Sequence, residues 1–113
     1  TVNNDPLLVI SGCILATQKL LSQNNLQVSD VDLFEIHEAF ASTIIHCQRE
    51  LNIDDEKLNV NGGCIALGHP MGATGSIMMS TLIDELERQN LTTGIVATSG
   101  AAGAGTAILI ERL

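Results

Sequence analysis

The apolar positions of this chain follow two rhythms that alternate almost from end to end. Residues 1–5 are polar and predict a frayed start, while residues 7–10, LLVI, form an aliphatic run closed by Ser11 and Gly12, a strand and its turn. Ile14, Leu15, Leu20 and Leu21 then line one side of a helix that runs to Gln23 and ends at Asn24 and Asn25. Residues 31–36, VDLFEI, are rich in strand formers. Phe40, Ile44, Cys47 and Leu51 follow in steps of four, three and four, the buried stripe of a second helix. A polar turn at 54–57 leads to the short apolar piece 58–60, a third strand, and then to a glycine-rich loop. Ile77, Met78, Leu82, Ile83 and Leu86 predict a helix that closes in the polar stretch 87–90. Residues 94–98 and 106–110 read as a final pair of strands joined by SGAAGAG at 99–105. The order β-α-β-α-β-α-β-β predicts one α/β layer domain, its five-stranded sheet mixed but mostly parallel, with a closing antiparallel hairpin.

Composition narrows what such a domain can meet. At 113 residues one core uses up the chain, and a second domain does not fit. Hydrophobic residues make up 45% of it, yet no run approaches the ~18 residues of a membrane span, and no signal peptide is expected. Thirteen acidic residues against five basic ones, spread along the chain, give a net charge of −8, which argues against nucleic-acid and anionic-membrane partners. A phosphate-rich ligand would have to be met by backbone N–H groups. Cys13, Cys47 and Cys64 are odd in number and widely spaced, fitting neither a disulfide framework nor a zinc-ligand spacing, so a reducing, cytoplasmic setting without a metal is expected. Phe34 and Phe40 are the only aromatic residues, which removes stacking platforms for bases or sugars and leaves an aliphatic core.

Chemistry concentrates in residues 59–76, NVNGGCIALGHPMGATGS. Pro70 restricts the backbone of His69 to an extended form, and Gly68 and Gly72 let other groups approach it closely. Two readings stand at this point: a loop histidine bonded to its own turn, or a general base that activates a thiol or hydroxyl. His37 falls where the 31–36 strand hands over to a helix, the carboxyl edge at which α/β sheets gather ligands, although on its own a histidine that merely starts a helix is the favoured reading. His46 sits on the second helix beside Cys47, and neighbours in a helix diverge, so the two do not form a catalytic pair. The run 99–105 joins strands, opens no helix and lacks a P-loop lysine; it is either a tight hairpin of small residues or a set of N–H groups at a developing oxyanion.

Three ordered stretches, His37-Glu-Ala-Phe-Ala41, Asn59-Val-Asn-Gly-Gly63 with Ala66-Leu-Gly-His-Pro-Met-Gly-Ala-Thr-Gly75, and the closing Gly/Ala hairpin with Glu111-Arg112, resemble the C-terminal domain of the thiolases over nearly the whole chain. The resemblance implies a thiolase-like βαβαβαββ domain spanning residues 1–113, the second half of a CoA-dependent acyltransferase that cleaves 3-oxoacyl-CoA or condenses acetyl-CoA units in fatty-acid metabolism. It also implies that the nucleophilic cysteine belongs to an N-terminal domain absent from these residues, that the 113 residues alone are inactive, and that the full-length protein is a homodimer or homotetramer. Coenzyme A and acyl-CoA are then substrates, with no permanently bound cofactor. Matched position by position, His69 activates the nucleophilic thiol and helps hold the thioester oxygen, and His37 orders a water in an oxyanion hole. Phe40 and Met71 line the acyl and pantetheine end, and the N–H of Ala101 serves a second oxyanion hole. The sequence departs from the family at Ser99, where a cysteine normally moves the α-carbon proton. It departs again at Ala101, usually Gly, and at Gly12-Cys-Ile-Leu-Ala16, commonly G-P-x-P-A. These departures keep open a non-catalytic thiolase-like protein that binds acyl-CoA or a partner.

Overall fold

The computed structural model describes residues 1–7 and 10–113. In chain order its elements are β1 (Val2–Asn3), α1 (Gly12–Gln23), β2 (Leu33–Ile36), α2 (Ala41–Leu51), α3 (Cys64–Leu67), α4 (Thr74–Gln89), β3 (Thr93–Ser99) and β4 (Ala104–Glu111). The strands form one four-stranded sheet in the order β1-β4-β3-β2. β2 and β3 run parallel, and β4 is antiparallel to both β3 and β1.

Strand alternation sorts the core into two layers. Phe34 and Ile36 of β2 and Ile95 and Ala97 of β3 pack with Cys13 and Leu21 of α1 and Cys47 and Leu51 of α2. On the opposite face Leu33 and Val96 meet Met78, Leu82 and Leu86 of α4. With both faces covered, all of β2 is buried, which explains why its sequence is nearly continuous in apolar residues. A carboxyl is caught in this arrangement. Glu35 is buried, and burial, then the charge of Glu38, pushes its carboxyl up to about 7.

Three expectations are corrected. The start is not frayed: Val2 and Asn3 pair with Gly105 and Ala104, and the Asn4 N–H donates to the Gly103 carbonyl at 2.7 Å. Backbone pairing needs no apolar side chains, only a partner that admits it, and a Cβ on Gly103 would lie 2.1 Å from the Asn4 oxygen. The expected third strand at 58–60 contributes a single bridge, Leu58 to Phe34. Asn59 takes a left-handed φ of 46° and breaks the extension. Its side chain then does a strand's work, since Oδ1 accepts from the Ile36 N–H at 2.8 Å and Nδ2 donates to the Ile36 carbonyl at 2.9 Å. The sheet is therefore four-stranded among the described residues and mixed rather than mostly parallel. The expected strand at 7–10 includes residues 8 and 9, which lie outside the described residues; Leu7 is in a turn and Ile10 has a φ of 73°.

The closing hairpin is as tight as its composition suggests. Ser99 pairs with Gly105, and the turn between them places Ala102 at φ 56° and Gly103 at φ 76°. α1 crosses directly beneath it. A Cβ on Gly12 would lie 2.1 Å from the Ala104 oxygen, and one on Gly105 would lie 2.0 Å from the Gly12 oxygen. Two glycines thus set how closely helix and hairpin approach.

Candidate active site

β2 and β3 present their carboxyl ends side by side, and the candidate residues collect there. The His37 N–H donates to the Ala97 carbonyl at 2.9 Å, carrying the parallel ladder one residue past β2. This holds the His37 ring at the mouth of the sheet, buried to 6% exposure. Burial and, next, the neighbouring His69 lower its pKa, while a hydrogen bond to the Ser99 backbone works the other way. Its Nε2 has no hydrogen-bond partner, so the bond to Ser99 belongs to Nδ1. An Nδ1–H donating to the Ser99 carbonyl leaves Nε2 as a bare lone pair.

His69 arrives from the loop between α3 and α4. Gly68, at φ 89°, ends α3, and the loop folds back through Pro70, whose carbonyl accepts from the N–H groups of Ala73 and Thr74 at 2.7 and 3.0 Å. The Thr74 hydroxyl donates to the same carbonyl at 3.2 Å and lies 2.7 Å from His69 Nδ1. With its single proton committed to Pro70, the hydroxyl accepts from Nδ1–H, and the Nε2 of His69 is free to take a proton. The two imidazoles face each other with centroids 4.4 Å apart and planes tilted by 42°.

A cleft of about 730 Å³ opens beside them, lined by His37, His69, Met71, Ser99 and Ala101 among others. The structure thus brings together five of the six residues singled out in the sequence. Phe40 is not among the lining residues; it caps α2 and is 60% exposed. Ser99 Oγ accepts from the Cys13 N–H at 2.9 Å, and its hydroxyl also hydrogen-bonds the Cys13 thiol. That contact accounts for Cys13, fully buried at the start of α1. Its thiol packs on Cys47, and the bond to Cys13, together with burial, pushes the Cys47 thiol up.

Several partners were not legible in the sequence. Glu38 turns away from His37, as neighbours at a strand end do, and clamps the glycine loop. Its Oε1 accepts from Asn59 Nδ2 at 3.2 Å and its Oε2 from the Ile65 N–H at 2.9 Å. Gly63 makes the clamp possible, because a Cβ there would lie 2.5 Å from the Glu38 carboxyl carbon. Thr74 is the orienting group of His69, signalled only by its place five residues further on. Cys64 is only partly buried. Its Sγ and one ring nitrogen each of His37 and His69 lie within 4.8 Å of one another, a convergence from three segments that no local spacing announces.

The family model described as "Thiolase, C-terminal domain" matches residues 1–112. The chain is 42% identical over 113 residues to "3-ketoacyl CoA thiolase 1, peroxisomal" of Petunia hybrida, covering 98% of this chain and 24% of that protein. It is 44% identical over 108 residues to "Acetyl-CoA acetyltransferase" of Escherichia coli (strain K12), covering 96% and 27%. It is 47% identical over 100 residues to "3-ketoacyl-CoA thiolase" of Bacillus subtilis (strain 168), covering 88% and 26%. The chain therefore spans about a quarter of the length of these relatives.

Proposed function

The chain belongs to the thiolase family as one of its C-terminal domains, and from that premise we propose that it supplies one side of the active site of a CoA-dependent acyltransferase. The reaction is cleavage of 3-oxoacyl-CoA, or its reversal by condensation of acetyl-CoA units. The observation that carries this reading is the pair of imidazoles 4.4 Å apart beside Ser99 in a single cleft.

The nucleophile is a thiol from polypeptide beyond these 113 residues. His69 Nε2, unencumbered because Thr74 holds Nδ1, takes the thiol proton, and the thiolate attacks the 3-oxo carbon. His37 Nε2 holds a water whose other proton meets the developing oxyanion, and the Ala101 N–H serves the second carbonyl. When the bond between the α- and β-carbons breaks, Ser99 delivers a proton to the α-carbon and regains one from the thiol of an incoming coenzyme A, whose thiolate takes the acyl group from the enzyme thiol as that thiol recovers its proton from His69. A hydroxyl is a poorer acid–base group here than a thiol titrating near 8.5, so this step is slow. Met71, 84% exposed at the rim of the cleft, meets the pantetheine arm. Phe40 joins the acyl end only where the rest of the protein closes over it. Coenzyme A and acyl-CoA are substrates, with no resident cofactor. The setting is the cytoplasm and fatty-acid oxidation, in a homodimer or homotetramer of full-length chains; no helix among the described residues is long and apolar enough to cross a membrane.

Assay of 3-oxoacyl-CoA thiolysis tests this. The full-length protein turns over, and His69→Ala lowers kcat by ~10²–10⁴, the usual worth of a positioned base. The 113-residue chain gives no sustained turnover; turnover by that chain, abolished by His69→Ala, would refute the need for an outside thiol. Ser99 favours a second reading, a thiolase-like protein that binds acyl-CoA without turning it over. Ser99→Cys decides between them: faster thiolysis supports the enzyme, and silence in both forms with acyl-CoA still bound supports the binder.

A further inference from the structure

Cys64 has no part in that chemistry, yet it stands with both histidines. We infer that His37, His69 and Cys64 form a binding site for a divalent cation of zinc type, their ligand atoms lying within 4.8 Å of one another and a fourth position being left to solvent. Two neutral imidazoles and a thiolate are the donor set that zinc prefers over magnesium or calcium.

Three features prepare the site. The His37 Nε2 is buried without a partner, and a cation satisfies it. The Nδ1 of each ring is held from behind, by the Ser99 backbone in one case and by the Thr74 hydroxyl in the other, so both rings offer Nε2. Such outer bonds orient metal-binding histidines generally. Cys64 opens α3, and Glu38, next to His37 in sequence, clamps α3 through the Ile65 N–H, so thiol and imidazole are carried by connected backbone. Zinc bonds of about 2.0–2.1 Å to nitrogen and about 2.3 Å to sulfur at tetrahedral angles put ligand atoms about 3.3–3.6 Å apart. From 4.8 Å each pair closes by at most ~1.5 Å, within reach of side-chain rotation in a loop where glycines flank His69. Cys64 gives up its thiol proton to solvent as the metal–sulfur bond forms. Where the acyltransfer reading holds, the loaded site withholds His69 Nε2 from the thiol, and the metal is an inhibitor.

Binding is read without substrate, so its failure is separate from failure of the acyltransfer reading. Zn²⁺ alone, titrated calorimetrically into the reduced protein, should bind with one equivalent assigned to this site and release a proton. Cys64→Ala should weaken that equivalent by more than the ~10–100-fold of an outer-shell change, and Thr74→Val by about that ~10–100-fold. Co²⁺ in its place should give a thiolate-to-cobalt charge-transfer band in the unaltered protein, a readout that needs no variant to fold. Absence of that band, or an affinity indifferent to Cys64→Ala, would overturn the site.

Discussion

Glu35 sits on β2 between Phe34 and Ile36, where the pleat turns it toward a narrow cavity shared with Met78 and Thr81 of α4. Its folded pKa is raised from the ordinary 4.5 to about 7, first by burial and then by Glu38. Below the lower value both folded and unfolded chains are protonated there, and Glu35 costs nothing. As pH rises through the window the unfolded chain ionises while the folded carboxyl keeps its proton, so this group's contribution to stability falls until about pH 7 and is then constant. Urea midpoints at the two ends of the window should differ in that sense, and Glu35→Gln should flatten the difference; an unchanged slope in the variant would show that Glu35 is not its source. Residue by residue, the sequence was informative where a motif forces a side chain to one place, as with His37, His69 and Ser99. It was silent on Glu38 and Thr74, whose roles come from what the folded loop brings to them.

Among the elements, helices were the more legible. α1, α2 and α4 each bury a stripe that the periodicity announces, though Phe40, expected in the stripe of α2, and Ile77 and Ile83 of α4 are exposed, and Asn52 and Asn90 end α2 and α4 in the left-handed conformation that asparagine tolerates. Strands were harder. β1 is only two residues long, Val2 and Asn3, and exists because β4 offers an open edge, and the expected third strand was replaced by one amide side chain, a substitution invisible to any alternation pattern. The contact of α1 with the hairpin makes a sharp test at this scale. Gly105→Ala sets a Cβ 2.0 Å from the Gly12 carbonyl oxygen, and because both partners are backbone it should cost more than the ~1–3 kcal/mol of ordinary overpacking. Gly75→Ala in α4, with open space around the new methyl, should be neutral or gain up to ~1 kcal/mol. Equal melting temperatures for the two variants would count against the close approach.

At the scale of the molecule, the sheet is covered on both faces, but the end that carries the cleft is not. Phe40, Ile65, Leu67 and Met71 are all exposed there, on the segments that border the two histidines. Exposed apolar side chains of this size favour association, which in a preparation of the 113-residue chain means a second copy. A net charge of −8 opposes it, and salt screens that repulsion. Light scattering should therefore show a mean mass that rises with concentration and rises further with added salt. A clean monomer at high concentration and high salt would refute this.

The bond from the Cys13 N–H to Ser99 Oγ joins residues 86 apart in the chain, and the His37 N–H reaches Ala97 across a comparable interval. Contacts of such long range carry the largest loop-closure cost and form late in folding. The hairpin pairs Ser99 with Gly105, but a partly folded form with α1 detached lacks the Cys13 N–H bond that fixes the Ser99 hydroxyl. The Cys13 amide consequently serves as a clock for site integrity: it exchanges its proton with solvent only when α1 lifts from the hairpin, so its protection should follow the most stable β3 amides rather than those of the exposed loops. Fast exchange at Cys13 in an otherwise protected sheet would mean that the site opens without the fold.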